Sequence, residues 1–192
     1  ATTQGAGRRV LDLMTSEPTD RTVPGPPPTG VVRNGFTTVR VPADAVRATA
    51  EALAAGWPGT LLAPHPEQLL AGSVLDNVRA TGGNPASPER ATEALRRVGL
   101  EATELANGYA TDTGDNGSAL SGGQRQRVAL ARAVAADPEV LILVNPTSSV
   151  DTVTEHRIAQ ELHRVRAGRT TVVISDSPAF RAVADRVVEV ES

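Results

Sequence analysis

Three stretches of this chain hold residues whose types and spacing suit chemistry on an anion. Leu120-Ser121-Gly122-Gly123-Gln124 sets a serine and two glycines at the head of a run of helix formers that reaches Ala136. A serine cap followed by residues without Cβ leaves several backbone N–H groups unblocked. The helix dipole adds partial positive charge there, so such a start suits a phosphate, although Ser-Gly-Gly can equally just begin a helix. About twenty residues on, the apolar run Val140–Val144 leads into Asn145-Pro146-Thr147-Ser148-Ser149-Val150-Asp151. The third stretch is Val39-Arg40-Val41-Pro42-Ala43-Asp44-Ala45-Val46-Arg47-Ala48-Thr49, a strand-like piece running into a helix-like one. All 19 basic residues of the chain are arginine, so no lysine exists to hold a phosphate.

The elements that must carry these stretches alternate. Thr37–Val41, Thr60–Ala63, Val140–Val144, Thr170–Ser175 and Arg186–Val190 read as strands, and the continuous apolar runs among them suit a sheet covered on both faces. Ala43–Ala55, Ser73–Ala80, Ser87–Val98, Ser121–Ala136 and Thr152–Arg166 read as helices, with a short helical piece at Phe180–Ala184. Ser87 as cap, Pro88 at the first position and Gly99 at the end mark one of them clearly. Strands alternating with helices imply a parallel sheet with right-handed crossovers. Arg8–Met14 has a short amphipathic pattern, and residues 15–30, rich in Pro and Gly, read as a stiff extended linker.

The bulk numbers narrow the function classes. A length of 192 residues suits one domain with a real core, and a net charge of −3 argues against nucleic acid as a partner. The absence of cysteine excludes disulfides and thiolate metal sites. No apolar run approaches the roughly 20 residues of a bilayer-spanning helix, and a signal-peptide layout is not visible, so a soluble segment is expected.

Leu120–Gln124 and its continuation Arg125-Gln126-Arg127-Val128-Ala129-Leu130-Ala131-Arg132-Ala133 resemble the signature sequence of ATP-binding-cassette (ABC) nucleotide-binding domains. The loop Thr111–Gly117 resembles the one that precedes the signature in ABC exporters, and Pro146–Asp151 resembles the loop that crosses the cassette dimer interface. The likeness covers about Gly72–Val190 and, more weakly, Ala6–Gly30, which is similar to an exporter's connector from membrane helices. It implies an α/β, P-loop-NTPase-like parallel sheet with helices on both faces and a helical signature subdomain at about 67–135. Residues 1–30 would be a linker and 31–192 the cassette. The antiparallel β subdomain would be reduced or missing, since the intervals Pro28–Thr37 and Ala55–Thr60 are short. Of the four aromatics, Phe36, Trp57, Tyr109 and Phe180, none lies where the family stacks adenine.

In that family two cassettes pair head to tail, each ATP lying between one phosphate loop and the other's signature helix. The resemblance therefore assigns Ser121, Gly122, Gly123 and Gln124 to a partner's ATP and Asp151 to the dimer interface. The same comparison finds departures at every position serving the chain's own nucleotide. The phosphate loop has neither glycine nor lysine, with Arg47 in the lysine's place and reading better as a solvated helix residue. Val144 and Asn145 stand where two adjacent acids hold Mg²⁺ and accept a proton. His65 replaces a glutamine, and Asp176 a histidine that contacts the γ-phosphate. These implications make the chain the impaired half of an exporter. ATP would be bound mainly by the partner, Mg²⁺ only by the partner, and the partners would be a second cassette, in a heterodimer, and transmembrane domains at the cytoplasmic membrane face. The competing readings are a non-catalytic structural or regulatory module that binds no nucleotide, and a slow ATPase using Arg47.

Overall fold

The sheet is assembled from five parallel strands in a computed structural model that describes residues 30–31, 33–57, 59–63 and 68–190. In chain order the strands are β1 (Phe36–Arg40), β2 (Thr60–Leu62), β3 (Ala106–Tyr109), β4 (Val140–Val144), β5 (Thr170–Ile174) and β6 (Arg186–Glu189). The sheet runs β2-β4-β5-β1-β6, with β3 outside it. β4 and β5 pair along their full lengths, from Val140 opposite Thr170 to Val144 opposite Ile174. The continuous apolar sequence of these two strands has a direct cause: each of their sides meets a separate core.

Helix α1 (Val46–Gly56) covers one face, where its Ala50 and Leu53 pack against Val39, Ile142, Val172 and Ile174. The other face carries α5 (Thr152–Val165) and α6 (Pro178–Val183), whose Ile158, Leu162 and Phe180 meet Phe36, Leu141, Leu143 and Val173. Each such side chain, taken fully from water, contributes about 1.5–3 kcal/mol. The second core continues into a helical layer inserted between β2 and β4. There α2 (Val74–Arg79), α3 (Pro88–Arg97) and α4 (Gly122–Ala136) share Val78, Leu95 and Val128. The architecture is the expected parallel α/β sheet clad on both faces.

Three local differences from the sequence reading have physical causes. The first helix starts at Val46 rather than Ala43, because Pro42–Ala45 closes as a turn with Ala45 N–H donating to the Pro42 carbonyl at 2.9 Å. The short strand β3 and the 3₁₀ turns at Ala102–Glu104 and Asp115–Gly117 carry no apolar periodicity that would announce them. The last helix begins two residues early, at Pro178, since the Ser177 hydroxyl caps it by accepting from Ala179 N–H at 3.2 Å. The pattern at Arg8–Met14, the Pro-rich segment 15–29 and His65 lie outside the described residues.

Candidate functional site

Helix α4 starts on a complete capping box. Ser121 is the cap; its Oγ accepts from Gln124 N–H at 3.2 Å, and Gln124 Oε1 accepts from Ser121 N–H at 2.9 Å. The other half of the Gln124 amide is also engaged, its Nε2 donating 2.9 Å to the Glu104 carbonyl. The side chain therefore ties the turn before α4 to the 3₁₀ turn at Ala102–Glu104. Gly122 and Gly123 occupy the first helical positions, where backbone N–H groups have no acceptor within the helix.

The loop after β4 folds over this turn. Asn145 adopts a left-handed conformation (φ 42°), and Val150 N–H donates to the Thr147 carbonyl at 3.0 Å. Thr147, buried, donates from Oγ1 to Glu155 at 2.6 Å. Gln126 of α4 grips the loop from both sides: its Nε2 donates to Ser148 Oγ at 2.8 Å, and its Oε1 accepts from Ser149 N–H at 2.7 Å. Asp151 caps α5 by accepting from Thr154 N–H at 2.9 Å. That backbone hydrogen bond, with a second from the Thr154 side chain, holds the Asp151 carboxyl below the usual aspartate value. Together these parts enclose an open groove of about 520 Å³ lined by Ser121, Gly122, Gly123, Arg127, Ser149 and Asp151, with Val150.

The groove brings four of the five site residues expected from sequence to one surface, namely Ser121, Gly122, Gly123 and Asp151; Gln124 stands behind it as a strut. The loop Thr111–Gly117 is stitched to the segment before α2. Buried Thr113 donates from Oγ1 to the Leu70 carbonyl at 2.8 Å, and Ser73 and Asp112 form an isolated antiparallel bridge.

The carboxyl ends of β1, β5 and β6 form a different environment. Arg40 Nε pairs with Asp176 at 2.8 Å, and Arg40 Nη1 lies 3.8 Å from Glu189. A groove of about 390 Å³ here is lined by Arg40, Val41, Pro42, Ala43, Asp176 and Glu189, with Val190. Arg47, in the first turn of α1, pairs with Glu51 one turn on at 2.7 Å and is largely exposed. Val144 is partly buried against the α1-side core, and among the described residues no three His, Cys, Asp or Glu cluster to hold a metal ion. Trp57 packs on the same core, with the Arg33 guanidinium 5.8 Å from its ring centre.

Several residues that build the site gave little sign in the sequence. Arg127 forks onto the Glu104 carboxylate, Nη1 at 3.1 Å and Nη2 at 2.9 Å. Although partial burial pushes the Glu104 carboxyl up, the Arg127 hydrogen bond and the Glu101 N–H hold it below the ordinary glutamate value. Arg132 is buried and donates to the Asn77 carbonyl (2.8 Å), Asn77 Oδ1 (2.7 Å) and the Gln68 carbonyl (3.0 Å). Its one visible signal was a charged residue on the apolar stripe of α4, at helical spacing from Val128 and Ala135.

Comparison with known proteins decides what this arrangement is. The ABC transporter family profile matches residues 47–148, more than half of the chain. The chain belongs to the ABC transporter family. Among curated relatives it is 40% identical over 122 residues to the uncharacterized ABC transporter ATP-binding protein YknV of Bacillus subtilis, covering 62% of this chain and 20% of that protein. It is 40% identical over 133 residues to the multidrug efflux ATP-binding/permease protein Rv0194 of Mycobacterium tuberculosis, covering 68% and 11%. To the alpha-hemolysin translocation ATP-binding protein HlyB of Escherichia coli it is 38% identical over 126 residues, covering 64% and 18%. The chain thus spans a fifth or less of the length of these relatives. A solved bacterial Atm1-family ABC exporter with ATP bound shares the fold, with a TM-score of 0.74 at 23% identity over 84% of this chain and 33% of that one. The chain is an ABC transporter nucleotide-binding domain in family and fold, similar to those of the proteins named above. Among the described residues no helix is long and apolar enough to cross a membrane.

Proposed function

We propose that this chain is the catalytically impaired nucleotide-binding domain of an ABC exporter, supplying its signature helix in trans to ATP held by an active partner cassette. The observation that carries this reading is the contrast between two surfaces. The groove at Ser121–Gly123 offers hydrogen-bond donors at a helix N-terminus with no Cβ in the way. At the strand ends that would serve the chain's own nucleotide, an internal Arg40–Asp176 ion pair stands beside Glu189.

The residues present fit ATP on the signature side and do not fit it on the other. The Ser121 hydroxyl keeps its proton for donation, and Gly122 and Gly123 line the same groove at a helix start, so the groove offers donors to an anion. Bound in the groove, ATP would supply a γ-phosphate whose charge grows during hydrolysis; donors fixed in advance stabilise that charge without reorganising. On the other side Ala45 N–H is spent on the Pro42 carbonyl, the turn has no glycine and carries the Asp44 carboxylate, and Val144 and Asn145 offer no carboxylate to a metal. That side takes no part in hydrolysis in this reading, and Mg²⁺ would be held by the partner.

The same reading makes the partner a second, different cassette, with Asp151 at the shared interface. It places transmembrane domains on the same assembly and the domain at the cytoplasmic face of the membrane, with residues 1–30 as the connector. Curated relatives with permease and translocation in their names support that arrangement. The test is ATP turnover of the assembled transporter with Ser121→Glu in this chain, where a loss of about a hundredfold or more is expected from removing an anion donor and adding a charge. Unchanged turnover would instead favour a dimerisation module whose signature touches no nucleotide.

A further inference from the structure

Gln124 is the signature residue whose side-chain oxygen and nitrogen both bond inside the chain. Its Oε1 accepts from Ser121 N–H and its Nε2 donates to the Glu104 carbonyl, at 2.9 Å each. An amide whose oxygen meets a donor and whose nitrogen meets an acceptor has only one consistent orientation. Glu104 is held in turn. Its carboxylate takes the Arg127 fork and the Glu101 N–H, the latter at 2.9 Å, which closes the capping box of the 3₁₀ turn. Arg127 closes the ring by donating to the Gly99 carbonyl and, through Nε at 3.3 Å, to the Gly123 carbonyl.

We propose that Glu104, Arg127 and Gln124 form a positioning strut that fixes the Ser121 hydroxyl and the Gly122 and Gly123 N–H groups for a partner's γ-phosphate, and that Gln124 itself does not touch the nucleotide. This rests on the in-trans reading above. The strut acts where accuracy matters most: an error of about 1 Å in donor placement can cost a hundredfold in rate. It also manages charge. Arg127 lines the groove, and its fork onto Glu104 turns the guanidinium to face the 3₁₀ turn. Losing the Glu104 charge would release a cation toward the bound phosphates, which favours ground-state binding while the donors lose their alignment.

The experiment measures kcat and KM for ATP in the assembled transporter carrying Glu104→Gln, Gln124→Leu or Ser121→Ala in this chain. The strut predicts a fall in kcat of roughly ten- to hundredfold for both strut variants, with KM for ATP lowered in Glu104→Gln, where the Arg127 cation is released, and unchanged in Gln124→Leu, where the pair remains. Merely structural damage would not lower KM, and a direct ligand role for Gln124 would raise it. Gln124→Leu leaves the Glu104–Arg127 pair in place, so it tests the strut even if Glu104→Gln impairs folding. A raised KM with unchanged kcat overturns the proposal. If Ser121→Ala lowers turnover while both strut variants match the parent, the strut alone is wrong. Should Ser121→Ala also leave turnover unchanged, the in-trans reading falls and takes the strut with it.

Discussion

A Cβ added to Gly123 would lie 2.8 Å from the Ser149 carbonyl oxygen, a backbone atom of the loop that walls the groove. Gly122, one residue earlier, differs sharply: its added Cβ would meet the Ser149 side chain at 3.5 Å, an ordinary contact. The two glycines of the signature therefore do different jobs. Gly123 permits the loop after β4 to close onto α4, while Gly122 keeps the groove floor open.

Gly123→Ala should accordingly force the Ser148–Val150 segment away from α4 and weaken the Gln126–Ser149 hydrogen bond. The expected cost is about 1–3 kcal/mol, as for an overpacked core site. Gly122→Ala should stay within about 0.5 kcal/mol of the parent, like an ordinary surface change. Urea unfolding of the two variants side by side checks the ranking; equal stabilities would refute the division of labour.

Arg132 offers a sharper stability test, because its charge is buried and its acceptors are neutral carbonyls. Burial pushes its guanidinium down to about 10, so it remains charged at neutral pH and depends on Asn77 and Gln68. Arg132→Ala leaves a void and strips a donor from each of those carbonyls, at an expected cost of about 2–4 kcal/mol. Arg132→Met fills the space without a buried charge and should cost clearly less. Hydrogen exchange should show the loss concentrated at residues 68–78, and a loss spread evenly over the sheet would contradict this account.

How far the sequence could be read follows from which forces are local. Val140–Val144 and Thr170–Ile174 announced buried parallel strands because burial on both sides leaves no polar alternation. Ser87, Pro88 and Gly99 bracketed α3 because cap chemistry is a near-neighbour effect. The signature turn was legible for the same reason, down to the Ser121 cap. Glu104, Arg127, Asn77 and Arg132 were not, since their partners lie 20 or more residues away and side-chain pairing at that range leaves no periodic trace. The strand at Ala106–Tyr109, built around Asn107-Gly108, offered neither β-branched residues nor alternation.

Arg47 supplies the check on the chain's own nucleotide side. Its pair with Glu51 sits on an exposed helix face at i,i+4 spacing, an arrangement worth about 0.3–0.5 kcal/mol. Arg47→Ala should therefore change stability by less than about 0.5 kcal/mol. Phosphate release from ATP should run at the same background rate in the parent and the variant when each is assayed alone. A parent rate clearly above that of the variant would give Arg47 the role of the missing lysine and reverse the assignment of the impaired half.

Asp185 links pH to the fold. Its Oδ2 accepts from Phe36 N–H at 2.8 Å, and its Oδ1 lies 3.0 Å from His163 Nε2, so one carboxylate ties the start of β1 to α5 and β6. The Phe36 hydrogen bond first, then the His163 one, holds its carboxyl below the usual aspartate value. A carboxyl depressed in the folded state contributes stability that is fully present above its unfolded pKa of about 3.9, and that is lost as pH falls through the lower folded value. Asp185→Asn should thus cost about 1 kcal/mol at pH 7, a modest figure because the side chain is half-exposed. The parent and the variant should converge in urea unfolding as pH drops below about 4. A stability gap that persists undiminished to pH 2 would show that the carboxylate charge is not what holds Phe36 in place.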